Sequence, residues 1–366
     1  MKGGTCSLRK IDQIRDQIDQ IDKKLLDLFN RRAKLAIEIG QEKSKKNESN
    51  HFHVPHRERE IFERMKELNP GPLPASSVES IFREIFSATL ALEKPLSIAY
   101  LGPATTFSHQ AALKQFGHSA VFVPAQSLEA IFKDVEQGIS DYGVVPIENS
   151  IEGVVNLTLD CFVDSPLYIC DEILLGISLY YLSKNGDAKQ IKKIYSHPQP
   201  LAQCRNWLNR YAPGIEQIAT SSTAVAAEMA SKDKHAAALA GKLAAEFYNL
   251  KIIARKIEDR SQNTTRFLVI SPEKSKRAKH NKTSVMFSIR DEAGSLIKVL
   301  QMFARHDINL TKIQSRPLKN RPWEYLFYVD FQGHAEDPKI AKVLETVGRR
   351  SVFMRVLGSY PRNNKS

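Results

Sequence analysis

The chain has 366 residues, of which 42% are hydrophobic and 26% are charged, and its formal net charge is +12. The length predicts about two or three domains, and the composition is ordinary for a soluble protein. The basic balance favours anionic partners, but it does not choose among nucleic acid, an acidic membrane and small polyanionic metabolites.

We expect neither a membrane span nor a secretory signal peptide, and no disulfides. No stretch approaches the ~18 uninterrupted apolar residues of a membrane span, and the N-terminal segment has no apolar signal-peptide core. The cysteines form no CxxC pair and have no metal-like spacing, so we expect free thiols in a reducing compartment, the cytoplasm. These cysteines are Cys6, Cys161, Cys170 and Cys204.

The N-terminal region predicts long helices. Apolar residues recur at three- and four-residue steps from Ile11 to Ile39, which predicts a helix from Ile11 to about Lys45. That helix would be roughly 50 Å long at ~1.5 Å per residue, too long for a small monomeric domain. We therefore expect a partner helix from a second chain. Two more helices are predicted, one after Pro55 and one from about Ala75 to Leu92.

Charged groups lie on the apolar faces of these helices. Arg32 occupies a seam position, where a guanidinium is expensive unless it meets an anion. Lys43 returns to nearly the same face roughly 16 Å further on, whereas Arg15 lies ~25 Å from Arg32. An antiparallel partner chain would bring its Arg15 near Arg32. Thr89 and Glu93 continue the apolar face of the third helix. The alternative is that Arg32 only fixes helix register and that Glu93 is a solvated terminal residue.

The segment IRDQIDQIDKKLLDLFNRRAKLAIEIGQEK and its helical neighbours resemble the all-helical chorismate mutases over roughly residues 8–94. The resemblance implies a dimer of interlocked first helices, in which each site takes an arginine from the neighbouring chain. It also implies a set of substrate-binding residues. These are Arg15, Arg32, Lys43, Val54, Arg57, Glu58, Thr89 and Glu93.

The chemistry of that family suits these residue types. Chorismate is a dianion that rearranges within itself, so arginines can clamp its carboxylates in a near-attack conformer. Lys43 and Glu93, with Arg32, are the predicted catalytic residues, because a cation and a hydrogen-bond donor stabilise charge on the ether oxygen. Glu93 can donate only if burial raises its pKa. We therefore expect mutase activity to fall as pH rises, and Glu93→Gln to flatten that profile; a flat wild-type profile would contradict this hypothesis.

The middle region alternates β-branched runs with helical patterns, which predicts an α/β domain with parallel sheets. Polar loops join its strands to its helices, where open α/β sheets bind anions. Each hydroxyl or amide there could instead be an ordinary helix N-cap. Neither a GxGxxG nor a P-loop motif occurs, which argues against nucleotide binding. The strand candidates span residues 96–101, 120–125, 142–147, 173–182, 193–198 and 251–257.

Three motifs of this region, PIENSIEG, SHPQPLAQC and NTTRFLVI, resemble the prephenate dehydratases over about residues 97–271. The resemblance implies two α/β lobes with the site in the cleft between them. It also implies that Thr265 is the catalytic hydroxyl, donating a hydrogen bond or relaying a proton as hydroxide leaves prephenate. The alternative is that Thr265 is merely a β-branched strand opener. The implied substrate-binding residues are Asn149, Ser150, Ser196, Gln199, Gln203, Thr223, Thr265, Arg266 and Phe267.

The C-terminal region has the βαββαβ order of a ferredoxin-like fold. Its segment DEAGSLIKVLQMFARHDINLTKIQSRP resembles an ACT domain, whose phenylalanine-binding members carry Gly-Ala-Leu and Glu-Ser-Arg-Pro stretches. We expect allosteric inhibition by L-phenylalanine. Each stretch differs here by one residue, so the sequence leaves the strength of that inhibition open. A docking domain without a ligand is the alternative. The implied effector-binding residues are Gly294, Ser295, Leu296, Gln314, Ser315, Arg316 and Pro317.

These resemblances predict a multidomain protein of the bifunctional chorismate mutase/prephenate dehydratase family, which makes phenylpyruvate for phenylalanine biosynthesis. The predicted parts are an all-α mutase domain (1–95), a two-lobed α/β dehydratase domain (96–272), a basic linker (273–283) and an ACT domain (284–366). We expect a homodimer or higher homo-oligomer with no metal or other cofactor, and no nucleic-acid or membrane partner.

Three alternatives stay open from the sequence. The mutase domain could be impaired, so that only the dehydratase is active. The chain could be a non-catalytic phenylalanine-sensing protein, which the intact TTRF motif argues against. It could also bind nucleic acid through its basic linker, although it has neither a base-stacking aromatic platform nor a helix-turn-helix motif.

Overall fold

The computed structural model describes residues 4–45, 55–290, 292–317 and 325–363, and the side chains of 4–9, 43–45 and 55–56 are outside that description. The predicted site residue Val54 and the side chain of Lys43 therefore lie outside the described residues. Within these ranges, no helix combines the length and the apolar content needed to cross a membrane.

The N-terminal domain is helical. It consists of α1 (Gly4–Lys45), α2 (Pro55–Leu68) and α3 (Ala75–Glu93). Both α1 and α2 pack against α3, but α1 extends well beyond this contact. Much of the apolar seam of α1 is consequently exposed, with Ile18 at 50% and Leu28 at 59% exposure. A single chain thus leaves uncovered the face for which the sequence predicts a partner.

The first lobe of the middle domain is a sheet with helices on both faces. Its sheet has the strand order β2-β1-β3-β11-β5, with β4 paired to β3. Its elements are β1 (Ser97–Leu101), α4 (Phe107–Phe116), β2 (Val121–Ala125), α5 (Leu128–Glu136), β3 (Tyr142–Asn149), β4 (Gly153–Val154), α6 (Asn156–Asp164), β5 (Tyr168–Gly176) and the returning β11 (Thr264–Ser271).

The second lobe has the strand order β10-β6-β9-β7-β8. Its elements are β6 (Tyr180–Ser183), a short 3₁₀ helix (Ala188–Gln190), β7 (Lys193–Ser196), α7 (Pro198–Gln203), α8 (Arg205–Tyr211), β8 (Glu216–Ala219), α9 (Thr223–Lys232), β9 (Ala236–Ala240), α10 (Lys242–Phe247) and β10 (Lys251–Arg255). Strand β7 runs parallel to both β8 and β9, so these three strands end at one edge.

The chain crosses between the lobes twice, and the two crossings are hydrogen-bonded to each other. Ile177 N–H donates to the Asn263 carbonyl at 2.8 Å, and Ile257 N–H donates to the Leu179 carbonyl at 3.0 Å. Strand β11 begins directly after the second crossing. The start of β11 therefore lies at the cleft between the lobes.

The C-terminal domain is a sheet in the order β13-β14-β12-β15 with two helices on one face. Its elements are β12 (Asn281–Ser288), α11 (Ser295–Arg305), β13 (Leu310–Pro317), β14 (Tyr325–Gln332), α12 (Pro338–Arg350) and β15 (Phe353–Pro361). This arrangement confirms the predicted βαββαβ order.

The C-terminal domain packs its other sheet face on the first lobe. Met286, Leu326 and Leu357 belong to the same buried cluster as residues of α5, α6 and β3. Strand β15 passes so close to β5 that a Cβ on Gly358 would lie 2.1 Å from the Ile169 carbonyl oxygen. Only glycine fits at this close approach. Together with the shared buried cluster, it shows that the two domains have one continuous core.

The predicted multidomain fold class is confirmed, but details of the middle domain differ. Its sheets are mixed rather than parallel, since β11 pairs antiparallel with both β3 and β5. The apolar run at 173–182 is not one strand, because it spans β5 and β6 in different lobes. Strand β12 begins at Asn281, so the last three residues of the predicted linker are in the sheet.

Candidate active sites

Arg32 is held on the inner face of the helical domain. Its Nη1 donates to Thr89 Oγ1 at 3.2 Å, and its guanidinium lies 4.8 Å from the centroid of the Phe86 ring. Burial lowers the pKa of Arg32 from its ordinary value, and Glu58 opposes that shift electrostatically. The predicted residues Arg32, Glu58 and Thr89 are therefore neighbours, and the Arg32 guanidinium is the cation among them that can meet an anion.

Thr89 has both hydrogen-bonding functions occupied. It accepts from Arg32 and donates to the Ile85 carbonyl at 2.6 Å, one turn back on α3. A hydroxyl with its proton directed to the backbone can orient the guanidinium but has none to donate to a ligand. Thr89 thus aims Arg32 in this arrangement.

Glu93 ends α3 beside Gly40 of α1. A Cβ placed on Gly40 would lie 2.5 Å from Glu93 Oε2. The glycine lets the carboxyl group lie against the backbone of α1, on the helix that carries Lys43 three residues later. The carboxyl of Glu93 is thereby brought to the same helix pair as Arg32.

Other predicted mutase residues lie away from this group in a single chain. Arg15 is exposed on α1 and pairs locally with Asp12 at 3.4 Å. Arg57 is also exposed and pairs with Glu60 at 3.1 Å. The neighbouring Arg59, which the sequence did not single out, instead binds Asp171 of the middle domain at 2.8 Å.

The dehydratase motifs meet at the start of β11. Asn149, which ends β3, pairs with Thr265 in the sheet register. Its Nδ2 donates to Thr265 Oγ1 at 2.8 Å and to Asn263 Oδ1 at 2.7 Å. Its Oδ1 accepts from the backbone N–H groups of Ile151 and Glu152 at 2.9 and 3.1 Å. Asn149 is therefore fixed on all sides, and it presents a donor to the threonine.

The Thr265 hydroxyl is left with its proton available. In the part of the chain that the structure describes, its oxygen accepts from Asn149 and its proton has no acceptor. The Thr265 side chain is only partly buried, and its proton can therefore point into the cleft. Accepting a hydrogen bond also polarises a hydroxyl and strengthens it as a donor.

Gln203 brings the second lobe to this group. Its Oε1 accepts from Asn263 Nδ2 at 3.2 Å, and its Nε2 donates to Glu152 at 3.1 Å. Ser150 links the β3–β4 turn to the start of β11, because it donates to the Gln262 carbonyl and accepts from the Thr264 N–H. Residues from the β3–β4 turn, α7 and β11 are thereby joined in one polar network.

The remaining predicted cleft residues lie at the strand ends of the second lobe. Ser196, fully buried at the end of β7, donates to the Leu239 carbonyl at 2.8 Å. The Gln199 N–H is capped by the His197 ring at 3.3 Å, and Thr223 opens α9. A Cβ on Gly241, after β9, would lie 3.2 Å from the ring of Phe107. This edge therefore faces the first lobe across the cleft.

Two residues of the NTTRF motif point elsewhere. Successive side chains of a strand alternate between faces, so Arg266 lies opposite Thr265 and is directed at the C-terminal domain. Phe267 is buried in the core under α4. Neither lies where the sequence prediction placed it, in direct reach of a ligand beside Thr265.

The C-terminal domain carries a cavity of about 500 Å³ at the start of α11. The predicted residues Gly294, Ser295 and Leu296 line it, together with Tyr325 and Phe327 of β14. Gly294 is the N-cap of α11 in a left-handed conformation, with φ at 82°. Backbone N–H groups at a helix start and an apolar wall suit a small molecule with one anionic end.

The second predicted effector stretch does not line this cavity within one chain. Gln314–Pro317 lie on β13 at the edge of the sheet. The Arg316 guanidinium makes a bidentate pair with Asp160 of α6, both contacts at 2.8 Å from Nη2. In this chain Arg316 therefore links the domains.

Sequence reasoning missed Asn263 and Glu152 as members of the cleft network. Asn263 is 4% exposed and bridges Asn149 to Gln203, so it connects the two lobes. Both residues stand inside the motifs that carried the resemblance, NTTRF and PIENSIEG. The signal available in the sequence was their position inside these motifs, next to predicted site residues.

Known proteins match this chain over nearly its whole length. Family models match for chorismate mutase type II over residues 14–94, prephenate dehydratase over 98–275 and the ACT domain over 283–349. A bifunctional chorismate mutase/prephenate dehydratase of Aquifex aeolicus is 47% identical, covering 97% of this chain and 99% of the relative. This chain belongs to the bifunctional chorismate mutase/prephenate dehydratase family.

Further comparisons agree with this membership. The bifunctional chorismate mutase/prephenate dehydratase of Stutzerimonas stutzeri is 43% identical, over 96% of this chain and 98% of the relative. The solved structure of an Arthrobacter aurescens prephenate dehydratase in complex with L-Phe is 33% identical. It superposes with a TM-score of 0.68, covering 74% of this chain and 91% of that one. The predicted family is confirmed, and the protein joins an isomerase and a lyase.

Proposed function

We propose that the helical domain converts chorismate to prephenate and that the cleft of the middle domain converts prephenate to phenylpyruvate. One observation carries the second assignment. Asn149 donates to Thr265 Oγ1 at 2.8 Å, which leaves the Thr265 proton for the cleft. Membership of the bifunctional family, over nearly the whole chain, supports both assignments.

The dehydratase step follows from that geometry. As the ring carboxylate leaves as carbon dioxide, its bonding electrons pass into the ring and expel the ring hydroxyl as hydroxide. Thr265 donates a hydrogen bond to the departing oxygen, or relays a proton that turns it into water. Asn149 holds the threonine in the donating orientation, and Asn263 holds Asn149. No nucleophile is required by this step.

The polar network positions the substrate. Prephenate is a dianion, and the parallel strand ends of the second lobe present helix N-termini towards the first lobe. We propose that Gln199 and Thr223 orient it from this side, with the buried Ser196 fixing the end of β7 beneath them through the Leu239 carbonyl. Gln203 ties the two lobes together. Closing the lobes would exclude water and strengthen each of these contacts.

The mutase step requires only charge and shape. Arg32, aimed by Thr89, clamps a carboxylate of chorismate in the folded conformer that rearranges. Lys43 and Glu93 would supply the cation and the donor at the ether oxygen, and Glu58, Val54 and Arg57 complete the proposed set.

Assembly is part of the same proposal. Arg15 lies too far along α1 to reach Arg32 in its own chain, and the seam between them is exposed. A second copy laid antiparallel on that seam would bury the apolar face and contribute its Arg15 to the site. We therefore propose a homodimer or a higher oligomer built on α1.

Regulation is assigned to the cavity of the ACT domain. L-Phenylalanine has a carboxylate for the N–H groups at the start of α11 and a ring for the apolar wall formed by Tyr325 and Phe327. We propose that it binds there as an allosteric inhibitor.

The free, buried thiols of Cys170 and Cys204 support a reducing, cytoplasmic location for the enzyme.

The decisive experiment supplies purified protein with chorismate and follows prephenate and phenylpyruvate, with and without L-phenylalanine. Thr265→Val is the matched variant, because valine keeps the shape and β-branching but lacks the hydroxyl. We expect it to form prephenate at the wild-type rate, and to form phenylpyruvate on the order of 10²–10³-fold more slowly.

Three outcomes would contradict parts of the proposal. Wild-type phenylpyruvate formation by Thr265→Val would remove the role of the hydroxyl. A wild-type protein that consumes prephenate but not chorismate would be a dehydratase with an impaired mutase domain. A protein that binds L-phenylalanine but converts neither substrate would be a sensor.

A further inference from the structure

The reactive strands have a second face, opposite the cleft. Strand β11 directs Thr265 to the cleft and Arg266 to the ACT domain. The register shift that follows Arg266 in the pairing with β3 sets Glu148 beside Arg266 and Asn149 beside Thr265. Each reactive residue therefore has a charged sequence neighbour on the ACT side.

Arg266 is embedded in a network that the ACT domain and the first lobe form together. Its Nη1 lies 2.6 Å from Asp330 Oδ2 of β14, and its Nη2 donates to Tyr360 Oη of β15 at 2.9 Å. Its Nε donates to Glu172 Oε2 of β5 at 2.8 Å. Its side chain is 7% exposed, and that of Glu172 is 1% exposed. The Arg266 guanidinium therefore holds the strand that carries Thr265 on its face opposite the cleft.

The same network reaches β3. Lys312 of β13 donates to Glu148 Oε2 at 2.7 Å, and Glu148 directly precedes Asn149. Lys282 of β12 pairs with Glu172 at 2.7 Å. Every strand of the ACT sheet therefore contributes a group that contacts the back of β3, β11 or β5.

The charges of this network balance one another. The cations Arg266, Lys282 and Lys312 face the anions Glu148, Glu172 and Asp330. Burial alone would lower the pKa of the Arg266 guanidinium, but its hydroxyl and carboxylate partners raise that pKa well above its ordinary value. Removing one partner of a buried pair is expensive, because the other charge stays buried and uncompensated. The network therefore resists displacement as long as it is complete.

The effector cavity is close to this network along one strand. Phe327 lines the cavity, and Asp330 follows it by three residues on β14, about 10 Å further along. A strand is stiff along its length, so a ligand that shifts β14 at Phe327 shifts Asp330 as well. Asp330 contacts Arg266, which is the sequence neighbour of Thr265.

We propose that Arg266 is a positioning residue, which does not touch prephenate but transmits the position of the ACT sheet to Thr265. The inference rests on the proposed dehydratase function. It makes the ACT domain part of the dehydratase framework, with Asp330 and Tyr360 as its contacts on Arg266.

The test compares two Asp→Asn variants of the full-length enzyme. Asp330→Asn removes the charge of the closest Arg266 contact. Asp160→Asn removes a charge from the same domain interface, where Asp160 pairs with Arg316 away from β11. Dehydratase kcat and KM, the inhibited fraction at saturating L-phenylalanine and L-phenylalanine binding by calorimetry are measured for both, at a temperature where circular dichroism shows them folded.

For Asp330→Asn we expect a dehydratase kcat on the order of ten- to a hundred-fold lower, with the KM for prephenate unchanged. L-Phenylalanine should still bind, while the inhibited fraction falls towards zero. The inhibited fraction does not depend on how much enzyme is folded, so it separates transmission from simple loss of stability. Asp160→Asn should keep the wild-type kcat and inhibited fraction.

Two further variants keep the test decisive. Tyr360→Phe removes one hydrogen bond to Arg266 without removing a charge, and it should give a smaller change of the same kind if Asp330→Asn fails to fold. Arg266→Gln should match Asp330→Asn, and the double variant should be no worse than either single variant. A raised KM in Arg266→Gln alone would show that the arginine binds substrate. Equal defects in Asp330→Asn and Asp160→Asn would show that the network only docks the ACT domain on the first lobe. Either the raised KM or the equal defects would overturn the proposal. A wild-type enzyme that does not convert prephenate would instead refute the proposed function itself.

Discussion

At the residue scale, the direction of single hydrogen bonds decides what each reactive group can do. Thr265 accepts from Asn149 and so keeps a proton to donate, whereas Thr89 gives its proton to the Ile85 carbonyl and can only orient Arg32. Both residues are threonines at the edge of an apolar face. Their chemistry differs because their partners differ.

Reversing one of these hydrogen bonds is a direct test. Asn149→Asp keeps the oxygen that accepts from Ile151 and Glu152, but replaces the amide donor with a carboxylate, which only accepts. The Thr265 proton would then be drawn away from the cleft. We expect dehydratase kcat to fall on the order of 10²-fold, with mutase kcat unchanged.

The control for Asn149→Asp is Asn156→Asp, the same chemical change at an exposed position in the first turn of α6. It should leave both reactions at wild-type rates. A wild-type dehydratase kcat in Asn149→Asp would show that the direction of this hydrogen bond is irrelevant to the reaction.

At the element scale, close packing of backbone against side chain places the mutase groups. At Gly40 the Glu93 carboxyl rests against the backbone of α1. Gly in a helix interior costs about 1 kcal/mol relative to alanine. We attribute its presence here to the space that the carboxyl group needs.

Gly40→Ala therefore separates stability from activity. The added Cβ would lie 2.5 Å from Glu93 Oε2, and the carboxyl at the end of a flexible side chain would move away. Because alanine favours the helix, we expect the unfolding temperature to stay level or rise. Mutase kcat should fall on the order of ten-fold, while dehydratase kcat is unchanged.

Gln41→Ala, at the exposed neighbouring position, is the control and should keep full mutase activity. Retained mutase activity in Gly40→Ala would mean that the Glu93 carboxyl acts from elsewhere. The expected flattening of the pH profile by Glu93→Gln stays a prediction, and it is best measured alongside these variants.

At the scale of the whole molecule, the chain is one connected framework. The ACT sheet and the first lobe share a buried core, and Arg59 of α2 fastens the helical domain to Asp171 of β5 at 2.8 Å. Asp171 and Glu172 are adjacent on β5, one paired with the helical domain and the other with Arg266 and Lys282. The apolar seam of α1 is left exposed, and a second copy is proposed to cover it.

Mixing two inactive variants tests that assembly. If each mutase site combines Arg32 of one chain with Arg15 of the other, Arg15→Ala and Arg32→Ala chains can repair each other. After subunit exchange at equal amounts, roughly a quarter of the sites should contain both arginines, because only mixed dimers form intact sites. Mutase activity of the mixture should rise to that level.

The dehydratase activity of each variant serves as the internal control for protein amount and folding. Recovery to no more than the average of the two parent variants would mean that both arginines act within one chain. It would also mean that the exposed seam has another purpose.

Much of the architecture could be predicted from local patterns. The helical periodicity around Arg32, the βαββαβ order and the motifs around Asn149, Gln203 and Thr265 each depend on residues close in sequence. Strand β9, Ala236–Ala240, was missed because alanine favours helices, yet these small residues let helix α9 pack closely on a fully buried strand. The run at 173–182 predicts one strand, because its residues stay apolar across the point where the chain passes from the first lobe to the second.

The sequence alone determined which chemical groups the enzyme has, because hydroxyl, amide and guanidinium types are properties of residues and motif order identifies the family. Tertiary structure decided which way those groups face. Arg266 belongs to the same motif as Thr265, but strand alternation and the docking of the ACT sheet turn it to the opposite side, where its partners come from residues up to 118 positions away. Such contacts depend on the packing of whole domains, which no local pattern encodes.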